Sequence, residues 1–254
     1  MLMKISVVLN TYNEAEKLPQ ALLSAKGWVD EIVIVDMGSA DETLKIAEKF
    51  EAKVFKHKHL PYVEPARNFA LSMSKGDWIL VLDPDERISE GLAEKLQQIV
   101  KEGKYDVVNI ARKNIIFGRW IKHTNWWPDK HVRFFKKGKV SWSGRIHQYP
   151  EVKGRMLTLP AVEDLAIEHL NYDTVNQFLE RQNRYSEIAV KNRLDSGEKF
   201  SWLSFSWNPT RLFIQRYFRH AGFLDGFYGL ALSLLAFYAQ LTEEVKLWEK
   251  EKSE

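Results

Sequence analysis

Three observations predict an α/β fold for this chain: a doubly wound, mostly parallel sheet with a helical C-terminal extension. Short β-branched runs alternate with helical patterns over residues 4–115. Polar and acidic residues collect directly after the first, second and fourth of those runs. Helical periodicity then returns beyond residue 173.

The strands are read first. "KISVVLNT" (4–11), "EIVIVD" (31–36), "AKVFKH" (52–57), "DWILVLD" (77–83) and "DVVNIAR" (106–112) are short apolar runs suited to strands buried on both faces. Between them, helical patterns cover 15–26, 41–50, 64–75 and 89–102. Asp41 is positioned to cap the second helix, and Ser89 with Leu92 and Leu96 marks a capped amphipathic fourth. From 116 to 170 the pattern breaks into a Trp-, His- and Arg-rich stretch with short strands such as 130–136. A helix is expected over 174–195, a loop over 196–206, and helices near 208–220 and 223–250. This gives a first half, 1–115, a second half of the same domain, 116–172, and the extension, 173–254.

The bulk numbers exclude several functions. With 37 Lys+Arg against 34 Asp+Glu the formal net charge is +3, so no broad field for nucleic acid exists. The absence of cysteine removes disulfides, thiolate zinc sites and cysteine nucleophiles. The opening "MLMKISVVLNTYNE" turns polar too early for a signal peptide, so a cytoplasmic protein is expected.

In doubly wound sheets ligands bind beyond the carboxyl ends of the strands, where this chain keeps its polar residues. "ILVLDPDE" runs an apolar strand straight into Asp83, Asp85 and Glu86, and such charge calls for a cation. Oxygen ligands at an open site suit Mg²⁺ or Mn²⁺ shared with a phosphate, with Asp85 and Asp83 as ligands. An Asp-Pro turn accounts for the same residues without a metal. Asp36, entering "DMGSADET", can accept from an imide N–H such as that of uracil, while Gly38 permits a tight turn. Thr11, Tyr12 and Glu14 follow the first strand, and the tyrosine ring is placed to flank a base. Arg67, in "EPARNFAL", suits a grip on phosphate, or an ordinary salt bridge.

Taken together, "ISVVLNTYNEAEKL", "EIVIVDMGSADET", "ARNFAL" and "WILVLDPDE" resemble family 2 glycosyltransferases with a GT-A (Rossmann-like) fold. The resemblance implies that Asp36 binds the nucleotide base, that Asp83 lies near the ribose, and that Asp85 holds a metal on the diphosphate. Met37 departs from the acidic residue or serine frequent there, and Pro84 replaces a small residue. "WWPDKHVRFFKKG", "RIHQYPEV", "IEHLNYDTVNQFLERQNRYSEIA" and "GFLDGFYGLALSLLAFY" extend the likeness to the bacterial lipopolysaccharide-core β-glucosyltransferase subgroup. That subgroup adds one sugar to a growing surface glycan on the cytoplasmic face of the membrane. Its usual His-Glu pair is His147-Gln148 here.

The resemblance therefore implies an inverting, metal-dependent transfer from a nucleotide-diphosphate sugar, UDP-linked by preference, to a saccharide or lipid-linked acceptor. Inversion needs one general base, for which Asp129 in "WWPDKHVR" is the candidate; His131, His147, Glu163 and Asp164 are its rivals. Trp126, Trp127, His131, Arg133 and His147 are the acceptor-side candidates, although a tryptophan pair also reads as core. His169, in "IEHL", is placed to complete a metal shell or to serve as a hydrogen-bonded strand residue.

Residues 208–241 combine Arg211, Arg216, Arg219 and His220 with apolar neighbours, which suits anionic lipid headgroups. Asp225 and the glycines argue against a membrane-spanning helix there. A helical hairpin packed on the catalytic domain, or on a second copy of the chain, reads equally well. Two rival functions remain: a nucleotidyltransferase, disfavoured because "NTYNEAEK" lacks a glycine-rich phosphate loop, and a non-catalytic scaffold of a glycan-assembly complex.

Overall fold

The computed structural model describes residues 3–60, 64–142 and 149–252. The chain divides into two compact units. The first is built from the chain up to Arg112 together with Lys130–His169, the second from Lys113–Asp129 together with Leu170 onward.

The alternation read from the sequence is present in the first unit. Strand β1 (Ile5–Thr11) leads to α1 (Leu18–Ala25), β2 (Glu31–Asp36) to α2 (Thr43–Lys49), and β3 (Lys53–Lys56) to α3 (Glu64–Met73). β4 (Trp78–Val81) then turns into the short β5 (Glu86–Ile88), and α4 (Glu90–Glu102) follows. Ser89 accepts from Leu92 N at the start of α4, so that capping signal acts as expected, and Gly103 ends the helix in the left-handed region. The remaining strands are β6 (Val107–Ile116), β7 (Arg119–Trp120), β8 (Asp129–Lys136), β9 (Val140–Ser141), β10 (Glu151–Val152), β11 (Met156–Thr158) and β12 (Ile167–Tyr172). The break in pattern after 115 thus conceals several short strands. Most are too short for periodicity to register.

Strand order in the main sheet is β3-β2-β1-β4-β8-β6-β12-β5, with β11 beside β6. β1 pairs in parallel with β2 and β4, and β2 with β3; β8 runs antiparallel to β4, and β12 to β5. Period-2 alternation gives each face its own core. Val7, Leu9, Leu80 and Leu82 pack with α1 and α4 on one side. Val8, Val33, Ile79 and Val81 pack with Ala70 of α3 on the other. In the order 3-2-1-4 strands are added outward from β1 to β3 and then on the other side of β1 at β4, so the carboxyl ends of β1 and β4 frame the crevice where ligands bind in such sheets.

The second unit is largely helical: α5 (Val175–Asp195), α6 (Trp202–Ile214) and α7 (Phe227–Glu251), with a π-turn at Gln215–Arg219 and a 3₁₀ turn at Gly222–Asp225. Its own core joins Ile116, Ile121, Tyr172, Phe178 and Leu232. The loop expected over 196–206 is corrected here. Its serines punctuate less than they cap, because Ser201 accepts from Ser204 N and starts α6 at Trp202. Ser204 and Asn208 then donate to Glu244 of α7, which Arg193 of α5 also engages, so one buried carboxylate ties three helices. Pro209 lies inside α6, where that packing outweighs its missing N–H.

Candidate active site

The turn after β2 is organised by one carboxylate. Asp36 is buried and accepts from Gly38 N and Ser39 N at 3.0 Å, from Ser39 Oγ at 2.5 Å, and from Thr11 Oγ1 at 3.2 Å. Gly38 sits at φ +93°, a conformation that an L side chain rarely adopts, so the turn depends on it. The base-binding candidate thus also holds its own loop in shape. The loop after β1 is stitched to it: Asn13 N donates to Ser39 Oγ, Ala40 N to Asn13 Oδ1, and Glu14 N to Thr43 Oγ1. Tyr12 stays exposed at this rim, its ring 4.2 Å from that of His59, a neighbour that the sequence did not single out.

The acidic stretch after β4 is both a turn and a charge cluster. Glu86 N donates to Asp83 O, and Asp83 N to Glu86 Oε2, each at 2.9 Å, which closes the four-residue turn. A divalent ion was expected to answer this charge. For Asp83 and Glu86 the chain's own arginines answer it. Arg133 Nη2 lies 2.7 Å from Asp83 Oδ2 and 2.6 Å from Glu86 Oε1; Arg67 Nη2 lies 3.1 Å from Asp83 Oδ1, and Arg112 Nη1 lies 3.6 Å from Glu86 Oε1. Burial by itself would raise the Asp83 carboxyl. The guanidiniums of Arg133, Arg67 and Arg112 overcome that and hold it well below the usual carboxylate range. Burial would likewise lower Arg133, but Asp83 and Glu86 raise it, so the pair stays charged. Arg67, read as a phosphate grip, and Arg133, read as an acceptor contact, are therefore both engaged with Asp83.

Asp85 also adds to the charge that keeps Arg133 protonated, and it has a second neighbour. His169 of β12 brings Nε2 to 3.5 Å from Asp85 Oδ2, both side chains being mostly buried. Antiparallel pairing of β12 with β5, which sets His169 opposite Glu86, accounts for the approach. Among the described residues no group of three or more His, Asp or Glu side chains is arranged to hold a metal ion. A carboxylate with an imidazole does fit an open site that takes its other ligands from water and a diphosphate. The imidazole nitrogen favours Mn²⁺ over Mg²⁺ in that role.

In the second unit, Asp129 belongs to a polar chain. Asn114 Nδ2 donates to Asp129 Oδ2 at 3.2 Å and to Trp126 O at 2.9 Å. Asn171 Nδ2 donates to Asn114 Oδ1, and Arg181 Nη1 to Asn171 Oδ1. Sequence reasoning missed Asn114; its signal was a polar residue at a buried position of an apolar strand, in "KNII". Trp126 packs on the core around Tyr172, whereas Trp127 meets Trp120 edge-on at 5.2 Å. His131 is half-buried on β8. His147 and Gln148 lie outside the described residues.

Comparison with known proteins places these features in a family. Residues 6–152, more than half of the chain, match the family described as glycosyl transferase family 2. An uncharacterized glycosyltransferase of Rickettsia felis is 27% identical over 259 residues, covering 97% of this chain and 90% of the relative. The lipopolysaccharide core biosynthesis glycosyltransferase LpsC of Rhizobium meliloti is 24% identical over 223 residues, covering 84% and 80%. Among solved structures, S. aureus TarS 1-349 in complex with UDP superposes with a TM-score of 0.51 at 18% identity, covering 99% of this chain and 92% of that one, a likeness of fold. A parallel-dominated sheet with its charged residues at the strand ends, and a family match across that same stretch, make this chain a glycosyltransferase of family 2 with a GT-A fold.

Proposed function

We propose that this enzyme inverts the anomeric centre of a UDP-linked sugar while transferring it, with a divalent cation bound, to a surface glycan such as a lipopolysaccharide core. The observation that carries the reading is the division of labour among the carboxylates after β4. Asp83 and Glu86 are matched by arginines, while Asp85 faces an imidazole. Asp85 and His169 would hold the cation, which when bound offsets the charge that develops on the departing diphosphate.

The chain's own groups supply the rest. The turn built on Asp36 receives the base, and Tyr12 lies at its rim; an imide N–H would displace the Ser39 hydroxyl from Asp36 Oδ1. Asp83 is held ionised for the ribose. Asp129 takes the proton of the acceptor hydroxyl, and the amide of Asn114 orients its carboxylate. Trp127 offers an edge for a sugar ring. LpsC, which carries lipopolysaccharide core biosynthesis in its name, supports this acceptor class. The absence of cysteine agrees with action from the cytoplasmic side.

The test is release of UDP from UDP-sugars in the presence and absence of Mn²⁺. Metal-dependent release supports transfer chemistry. Binding of UDP-sugar without turnover, with any acceptor saccharide, would favour a scaffold instead.

A further inference from the structure

Helix α6 turns the wrong side to solvent. The outward side of a surface helix is normally polar, yet Leu203, Trp207, Ile214 and, in the π-turn, Phe218 follow one another at spacings of four, seven and four residues along one exposed stripe. Leu203 is 78% exposed and Trp207 54%. The stripe continues onto the 3₁₀ turn and the start of α7, where Phe223 is 49% and Phe227 79% exposed. That tip is closely packed: a Cβ on Gly229 would overlap the Gly222 carbonyl, so the two backbones are in direct contact. So much contiguous apolar surface marks a place where something docks.

Charge identifies the occupant. Between Glu198 and Asp225 the sequence has no carboxylate side chain, while Lys199, Arg211, Arg216 and Arg219 are cationic. Lys199, Arg211 and Arg219 are exposed. The bounding Asp225 is buried, accepting from Lys122 N and His123 N. A second copy paired through this face would set these cations against one another, since the segment itself carries no exposed carboxylate. An anionic bilayer meets both requirements. It takes the tryptophan and phenylalanine side chains into its interfacial layer and the arginines at its headgroups. Among the described residues no helix is long and apolar enough to cross a membrane, so the segment would lie on the bilayer.

We propose that the outer face of residues 199–227 is a docking surface for anionic lipid bilayers. The inward side of the same segment grips the loop before Asp129. Arg216 Nη1 donates to Thr124 O at 3.0 Å, His220 O accepts from Thr124 N, and Asp225 holds His123 through both its backbone N–H and its ring. Docking therefore fixes the segment that carries the acceptor-side loop. This last step alone rests on the function proposed above.

Flotation of the full chain with vesicles of phosphatidylglycerol and phosphatidylcholine, or of phosphatidylcholine alone, tests the surface without any need for catalysis. Wild type is expected to float with the anionic vesicles and to be released by high salt. Leu203→Gln/Phe218→Ser/Phe227→Ser is expected to stay at the bottom, with an unchanged circular dichroism spectrum. If that variant misfolds, Arg211→Glu/Arg219→Glu decides, with an expected loss of about tenfold or more in anionic-vesicle binding. Wild type that ignores anionic vesicles, or variants that float as well as wild type, would overturn the proposal. So would a wild-type dimer that these substitutions turn into monomers in the absence of vesicle binding. Stabilisation by UDP with Mn²⁺, measured on the same samples, reports separately on the donor site.

Discussion

His169 Nε2 stands 3.5 Å from Asp85 Oδ2, although 84 positions separate the two residues along the chain. On the function proposed above, this imidazole and carboxylate would be a minimal pair of ligands for a cation that keeps several outside ligands. His169→Ala and Asp85→Asn should each raise the Mn²⁺ concentration needed for half-maximal stabilisation by UDP by about tenfold or more, ~1.4 kcal/mol. Calorimetric titration of Mn²⁺ into the UDP-saturated protein measures it. An unchanged midpoint in His169→Ala would reduce this histidine to a hydrogen-bonded strand residue.

Arg133 is the keystone of the charge cluster. Its guanidinium meets Asp83 and Glu86 where all three side chains have little access to water. Removing one partner of a buried ion pair leaves an uncompensated charge and costs roughly 3–5 kcal/mol. Arg133→Met should lose stability of that order in urea unfolding, whereas Arg67→Met, at a more exposed contact, should lose less. Equal effects would mean that Arg133 holds no special place.

Acid should expose the same cluster. The folded-state pKa of Asp83 is depressed, so its contribution is fully present above the unfolded-chain value near 3.8 and is lost as pH falls from there toward the folded-state value. Asp83→Asn should flatten the decline of melting temperature below about pH 4 relative to wild type. A variant that follows the wild-type acid profile would show that Asp83 contributes no such linkage.

Asp129 and Asn114 make a paired prediction. Asp129→Asn should lower the turnover number by about 10²–10⁴-fold, the usual worth of a general base. Asn114→Ala, which removes one hydrogen bond to that carboxylate, should cost roughly tenfold. Neither substitution should alter stabilisation by UDP. Full turnover in Asp129→Asn would return the base to its rivals, with His131 first among the described residues.

The nucleotide half was legible in sequence because period and position there carry the information. Short continuous apolar runs marked β1, β2 and β4, and the reversal of strand order between β1 and β4 makes the residues after them candidates for a site. What escaped reading came from tertiary pairing. Arg133 sits between Val132 and Phe134 in a strand, and nothing local says that it will meet two carboxylates from a turn 47 to 50 positions away. β5 has only three residues, yet its pairing with β12 is what carries His169 to Asp85. In α6 the serines looked like punctuation because capping by Ser201, and the bonds from Ser204 and Asn208 to Glu244, appear only once the helices pack.

Thermal unfolding with UDP, with Mn²⁺, and with both separates metal-bridged from metal-free nucleotide binding. Because a ligand that binds the folded state raises the melting temperature, a cation shared between the diphosphate and the Asp85–His169 pair predicts a clear rise with UDP and Mn²⁺ together, little with either alone, and none for Asp85→Asn. A rise with UDP that ignores Mn²⁺ and survives Asp85→Asn would contradict it, since the diphosphate would then be held without the Asp85–His169 pair.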